Sequence, residues 1–111
     1  MPGAEALVLP RDHACGPSEA FMIGREFAHL HPARDGSSHL MLPLAAVEEL
    51  TAKGWGEPHP MARLGYIPAN AVMAFAPRDA VEVGVMIRIL TTSWHFARGK
   101  LVNPAPIHIH D

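Results

Sequence analysis

Two segments, Phe27-Ala28-His29-Leu30-His31-Pro32 and His39-Leu40-Met41-Leu42-Pro43, decide the fold of this 111-residue chain. A short polar turn separates them, which is typical of a β-hairpin. His29 and His31 are two residues apart, so both point to the same face of a strand. Antiparallel pairing would bring His39 opposite or nearly opposite them. The sequence therefore predicts three imidazoles on one patch of a sheet.

Strict alternation along the two strands predicts what each face of the sheet carries. One face combines the histidines with an aromatic ring and a thioether, and the other is made of alanine and leucine. Amphipathic helices would cover the alanine and leucine face. The histidine face would then be left as a pocket wall or a dimer interface. Its predicted members are Phe27, His29, His31, His39 and Met41.

The remaining elements give an α+β fold, a small antiparallel sheet in the order β-β-β-α-β-α with two helices packed on one face. The predicted strands cover residues 6–9, 20–30, 38–42 and 71–76, and the first helix runs from Pro43 to Gly54. The second helix is predicted over residues 80–98, between an Asp79 cap and Gly99. Alternating valines and isoleucines there also suit a strand, but the cap and the glycine favour a helix. Its predicted inward stripe is Val83, Ile87, Leu90, Trp94 and Ala97.

Length and composition limit the classes of protein. Residues 1–111 are expected to form one domain, with 100–111 as a flexible tail. The net charge of −2 and the scattered nine Lys and Arg argue against nucleic-acid binding. No apolar run approaches the length of a membrane span, and the N-terminus lacks the pattern of a signal peptide. A single cysteine, Cys15, excludes an internal disulfide, so we expect a cytoplasmic protein.

Four histidines are the predicted catalytic residues: His29, His31, His39 and His59, the last on a loop stiffened by two prolines. The same four would be the ligands if a divalent metal binds, although no familiar zinc spacing is present. Purely structural histidines, hydrogen-bonded to backbone or water, are the third interpretation. Glu26 would point to the other face of a regular strand, and Glu57 is a distant option. The predicted substrate-binding residues are Arg25, Phe27, Met41 and Trp55.

Several motifs resemble the small luciferase domain family, in order along the chain. They are the segment from Gly16 to Pro32, Asp35-Gly36-Ser37 with His39, the segment from Gly54 to Pro60, and Ala76-Pro77-Arg78-Asp79. That family is named for the fungal bioluminescence luciferases, and most members are bacterial proteins of unassigned function. The resemblance implies a site at the motif histidines. It also implies that the family's N-terminal helix and strand are missing ahead of Met1.

The fungal enzymes are oxygenases that act on a hydroxypyrone without a flavin or another organic cofactor. The resemblance therefore implies a small-molecule, oxygenase-like enzyme with a His-lined pocket and no organic cofactor. Two alternatives stay open: a non-catalytic ligand-binding or oligomerisation domain, and a His-ligated metal-binding protein. The expected partners are a small-molecule ligand and a second copy docked on the open sheet face.

Overall fold

A computed structural model describes residues 5–31 and 36–100 and confirms the α+β class. The strands are β1 (Glu5–Val8), β2 (Glu26–Leu30), β3 (Ser38–Met41), β4 (Gly56–Pro58) and β5 (Ala71–Ala74). They form one sheet in the order β1-β2-β3-β5-β4, and every neighbouring pair is antiparallel. The predicted β2–β3 hairpin is therefore present, near the centre of the sheet.

The helices are α1 (Leu44–Ala52), α2 (Pro60–Arg63) and α3 (Ala80–Arg98). The carboxylate of Asp79 accepts a hydrogen bond of 2.9 Å from the backbone N–H of Glu82, which caps the start of α3. Gly99 ends the helix with a φ of +75°, and a Cβ there would lie 2.7 Å from the Cys15 carbonyl oxygen. Only glycine fits that position, so the predicted helix and both of its boundaries are confirmed. None of the helices in the described ranges is both long and apolar enough to cross a bilayer.

One hydrophobic core joins the sheet to α1 and α3. The inner face of the sheet contributes Ala28, Leu40 and Val72, none of which is exposed. These residues face each other across β2, β3 and β5, because Ala28 pairs with Leu40 and Leu40 with Val72. Side chains on α1 and α3 belong to the same cluster, so both helices cover this face. The predicted placement of two helices on one face is confirmed.

The predicted inward stripe of α3 is wrong at Val83, Ile87 and Trp94, whereas Ala97 is buried and Leu90 packs against the core. Val83 and Ile87 are 44% and 57% exposed, and Trp94 is exposed as well. Both faces of the helix carry apolar residues at helical spacing, so periodicity alone does not identify the buried one. The face of α3 that packs on the sheet includes Ser93, whose hydroxyl donates to the buried carbonyl of Met41. The buried residues of α3 are Val85, Ile89, Ser93, Phe96 and Ala97.

A β-bulge in β2 reverses two further predictions. β1 pairs Leu7 with Ala28 but Val8 with Glu26, so Phe27 is an extra residue in the ladder. Alternation restarts at the bulge, which turns Phe27 towards the core, where it is only 5% exposed. The same step turns Glu26 to the face that carries His29. The regular alternation that we predicted for these residues is therefore wrong.

The start of the second strand and two short elements, β4 and α2, also differ from the predictions. The second strand begins at Glu26 because a tight turn precedes it, with Gly24 at a φ of +58° and the Glu26 N–H bonded to the Ile23 carbonyl. β4 and α2 were predicted as loop because glycine and proline dominate them. Pro58 is tolerated because β4 is an edge strand. The predicted tail, apart from Lys100, lies outside the described residues, as does part of the hairpin turn.

Candidate functional site

The strand register places two of the predicted histidines directly opposite each other. His29 on β2 pairs with His39 on β3, and His39 pairs with Met73 on β5. Met73 in turn pairs with Glu57 on β4. Because these partners alternate with the buried Ala28 row, they lie on the sheet face opposite α1 and α3. The predicted gathering of imidazoles on that face is therefore confirmed.

His29, His31 and His39 form a compact cluster. One ring nitrogen from each lies within 4.8 Å of the others. Nε2 of His29 is 3.1 Å from Nδ1 of His39. The rings of His31 and His39 are 4.6 Å apart between centroids, and those of His29 and His31 are 4.9 Å apart. Among the described residues, this is the only group of at least three His, Cys, Asp or Glu side chains arranged as metal ligands would be.

His31 is the most deeply buried member of the cluster. It is 6% exposed, and its backbone N–H bonds the Ser37 carbonyl across the hairpin end at 3.0 Å. Its Nε2 is shielded from solvent and has no hydrogen-bond partner among the described residues. A buried imidazole nitrogen without a partner costs free energy, roughly 1–3 kcal/mol. A buried ring nitrogen without a partner among the described residues is a position where a water molecule or another ligand would bind.

His59 joins the cluster from the loop between β4 and α2. Its backbone N–H donates to the Ala71 carbonyl at 2.9 Å, which ties this loop to β5. Its Nε2 is 3.2 Å from Nδ1 of His39, and its Nδ1 accepts a 3.0 Å hydrogen bond from the Met61 N–H. Burial, followed by repulsion from His29, lowers the pKa of His59 below its ordinary value of 6.5. His59 is therefore held mainly neutral near pH 7.

Glu26 also belongs to the site, although regular alternation along the strand predicts it on the other face. Its Oε2 is 3.0 Å from Nδ1 of His29, and the two side chains are 21% and 27% exposed. The bulge makes this contact by bringing residues three apart to one face. A register shift of this kind has no sequence signature in β2 that we recognise. Glu57, in contrast, lies on the same face and pairs with Arg63 at 3.7 Å.

The four predicted substrate-binding residues lie in different surroundings. Arg25 donates from Nη1 to the Leu9 carbonyl at 3.1 Å. Phe27 lies in the core. Met41 is completely buried and lies two residues from His39 on β3, on the same face of the sheet. Trp55 packs against the core and lines a cavity of about 300 Å³ beneath α3. Its surroundings are therefore those of the helical face, not of the imidazoles.

An apolar cavity on the α3 side of the sheet includes His31 in its lining. It has a volume of about 320 Å³ and lies between the end of the β2–β3 hairpin and α3. Leu30, Met86 and Leu90 form its apolar walls, and His31 is one of its polar boundaries. The cavity beneath Trp55 shares Ala76, Pro77 and Met86 with it, so the two are neighbours. A mainly apolar pocket with a few polar groups is the usual form of a small-molecule site.

The donor set of the cluster suits a divalent transition metal. Three imidazoles with room for a further ligand are a known arrangement of catalytic zinc. The 3.1 Å between Nε2 of His29 and Nδ1 of His39 is close to the spacing of two ligands on an ion with bonds of about 2.0–2.1 Å. A carboxylate that accepts from the other ring nitrogen commonly orients a metal-binding histidine, and Glu26 contacts His29 in this way. The residues present therefore fit such an ion.

Comparison with known proteins places this region in a family. Residues 24–93 match the luciferase domain, and that segment contains all four clustered histidines. The luciferase of Armillaria ostoyae is 38% identical over 71 residues, and that of Neonothopanus nambi is 37% identical over 87 residues. These alignments cover 62% and 73% of the chain but only 27% and 33% of the relatives. No solved structure gives a significant match. The chain therefore belongs to the luciferase domain family.

Proposed function

We propose that this chain is an oxygenase-like enzyme that acts on a small molecule at the imidazole cluster. The observation that carries the proposal is the convergence of ring nitrogens of His29, His31 and His39 within 4.8 Å, inside the segment that matches the luciferase domain. The relatives named luciferases support oxygen chemistry, although the chain spans only about a third or less of their length. An oxygen-dependent activity of this chain is therefore part of the proposal.

The chemistry that these side chains can supply is proton transfer. The lone pair of a neutral imidazole accepts a proton from an acidic C–H or O–H of the substrate. The resulting carbanion or enolate is electron-rich and forms a C–O bond to dioxygen, so the substrate supplies the electrons that reduce O₂ to the peroxide level. His29 is the base in this scheme. His31 and His39 hold the oxygen on which negative charge develops.

The substrate of this scheme would bind on the sheet face that carries the imidazoles, opposite α1 and α3. The chemistry requires an acidic C–H or O–H and an oxygen on which negative charge can develop. The substrate class that fits is therefore a small molecule with an enolisable or ionisable oxygen function.

Oxygen uptake tests the enzymatic proposal. The probes are a panel of enolisable 1,3-dicarbonyl compounds and hydroxylated aromatic rings, each incubated with the protein in an oxygen electrode. We expect at least one probe to consume O₂ more than about tenfold faster with wild-type protein than with His29→Gln. His13→Gln is the matched control, because His13 lies on an exposed turn. Equal rates for wild type and His29→Gln across the panel would contradict the proposal. Saturable binding without uptake would favour the non-catalytic alternative.

A divalent metal at the same histidines is the second candidate, favoured by Nε2 of His31, which has no hydrogen-bond partner among the described residues. When bound, the ion would polarise a substrate oxygen. His29, His31 and His39 would hold it. We expect Co²⁺ to bind at about one equivalent with a change in its visible absorption, and His31→Leu to abolish that change. The measurement uses a His108→Gln/His110→Gln background so that these two histidines do not contribute. Binding below about a tenth of an equivalent would exclude this candidate.

A further inference from the structure

Two of the four imidazoles have their ring protons placed by fixed neighbours. Oε2 of Glu26 is 3.0 Å from Nδ1 of His29, and an ionised carboxylate only accepts hydrogen bonds. Nδ1 of His29 therefore carries the proton, and in the neutral ring Nε2 keeps its lone pair. At His59 the order is reversed, because the Met61 N–H donates to Nδ1. The neutral His59 ring therefore carries its proton on Nε2.

His39 lies between these two rings and cannot satisfy both. Its Nδ1 is 3.1 Å from Nε2 of His29 and 3.2 Å from Nε2 of His59. With a proton on Nδ1, His39 donates to His29, but its N–H then faces the N–H of His59, and two donors repel each other. Without that proton, it accepts from His59 but faces the lone pair of His29. The neutral cluster thus has one unsatisfied contact in either state, and an entering group would relieve it.

We propose that Glu26 is a positioning residue that fixes His29 as the acceptor of the site, and that His59 is its hydrogen-bond donor. An entering molecule then meets one of two groups, depending on the state of His39: the N–H at Nε2 of His59 or the lone pair at Nε2 of His29. A hydroxylated compound fits either state, because its O–H can donate to the lone pair and its oxygen can accept from the N–H. The role of this arrangement in catalysis rests on the function proposed above, whereas the proton positions do not.

These proton positions also give different roles to His29 and His59, which the sequence alone predicted as catalytic residues without distinction. His59 joins the cluster as a donor and is not needed to complete the group of His29, His31 and His39. Glu26 holds the ring proton of His29 on Nδ1, as a carboxylate does in a carboxylate–histidine pair. The β-bulge is thus a functional feature, because without it Glu26 would lie on the other face.

Nitrogen-15 NMR of the imidazole rings reads these proton positions directly. Spectra are recorded on the intact chain at about pH 8, where histidine is largely neutral. We expect wild-type His29 to show the Nδ1–H tautomer and His59 the Nε2–H tautomer. Glu26→Leu removes the acceptor, so His29 should shift towards Nε2–H. Glu26→Gln keeps an acceptor oxygen in place and should retain the wild-type tautomer.

Glu57→Leu is the matched control, because Glu57 lies on the same sheet face but pairs with Arg63. It should leave the His29 nitrogen shifts unchanged. Wild-type His29 protonated only on Nε2, or no change on Glu26→Leu in a variant with wild-type circular dichroism, would overturn the proposal. The expected tautomers without oxygen uptake from any probe would instead overturn the proposed function and leave this proton arrangement intact.

Discussion

The Ser93 hydroxyl in the C-terminal half of α3 lies 2.6 Å from the carbonyl oxygen of Met41 on β3. Ser93 is completely buried, and its second neighbour is the Phe27 carbonyl at 3.4 Å. The one hydroxyl proton goes to the nearer oxygen. This hydrogen bond joins the long helix to β3, one of the two strands that carry the clustered histidines.

Ser93→Ala should therefore destabilise the protein. Loss of the donor leaves a buried carbonyl less well satisfied, at a cost of about 1–3 kcal/mol in the free energy of unfolding. Urea unfolding followed by circular dichroism measures the change. Thr91→Ala is the matched control, because its exposed hydroxyl bonds the Ile87 carbonyl within the same helix. An equal decrease in the free energy of unfolding in both variants would show that the Ser93–Met41 hydrogen bond contributes no more to stability than an exposed one within the helix.

His31→Leu should separate stability from ligand binding. The substitution removes a buried ring nitrogen without a partner among the described residues, so the free energy of unfolding should stay within about 1 kcal/mol of wild type or rise. If the cluster holds a metal, Co²⁺ affinity should fall by more than about 100-fold, because the substitution removes a ligand itself and not only a residue that orients a ligand. Thermal unfolding and a Co²⁺ titration measure the two quantities. A strongly destabilised variant would favour a structural role for His31.

Asp79→Ala should weaken the start of α3. The Asp79 side chain accepts from the Glu82 N–H at 2.9 Å, and loss of such a cap costs about 1 kcal/mol. Asp79→Ser keeps an acceptor oxygen and should recover most of that free energy. Chemical denaturation of the three proteins checks the prediction. Equal stabilities would show that the adjoining Arg78–Glu82 ion pair, rather than the cap, holds this end of the helix.

Protonation of His59 should lower stability in mildly acidic solution. Its folded-state pKa lies below the ordinary 6.5, so between these values the unfolded chain binds more protons at this residue. The free energy of unfolding should fall as the pH drops through 6.5. The loss should level off below the folded-state pKa, where both states are protonated.

The comparison of His59→Gln with wild type isolates this contribution from that of the other histidines. Urea unfolding is measured at several pH values on either side of 6.5. The variant should lose less stability on acidification than wild type does. Identical pH profiles for the two proteins would contradict the lowered pKa.

Local signals in the sequence were sufficient for α3 and for the hairpin. The cap at Asp79 and the glycine at position 99 act through backbone hydrogen bonds within a few residues, so the helix boundaries could be predicted. His29 and His39 could be placed together because the strand period and a short hairpin loop restrict the register. β4 could not be predicted, since Gly56 and Pro58 join the sheet only through pairing with β5.

The sequence by itself determined the α+β class, the long helix and the gathering of histidines on one face, because each depends on periodicity or on contacts close along the chain. Tertiary structure alone decided which face of α3 is buried, where β2 bulges and therefore that Glu26 contacts His29. Those outcomes depend on how β1 and α3 fit against β2, and the chain brings these elements together from opposite ends. Only that packing selects between two apolar helix faces or two registers of one strand.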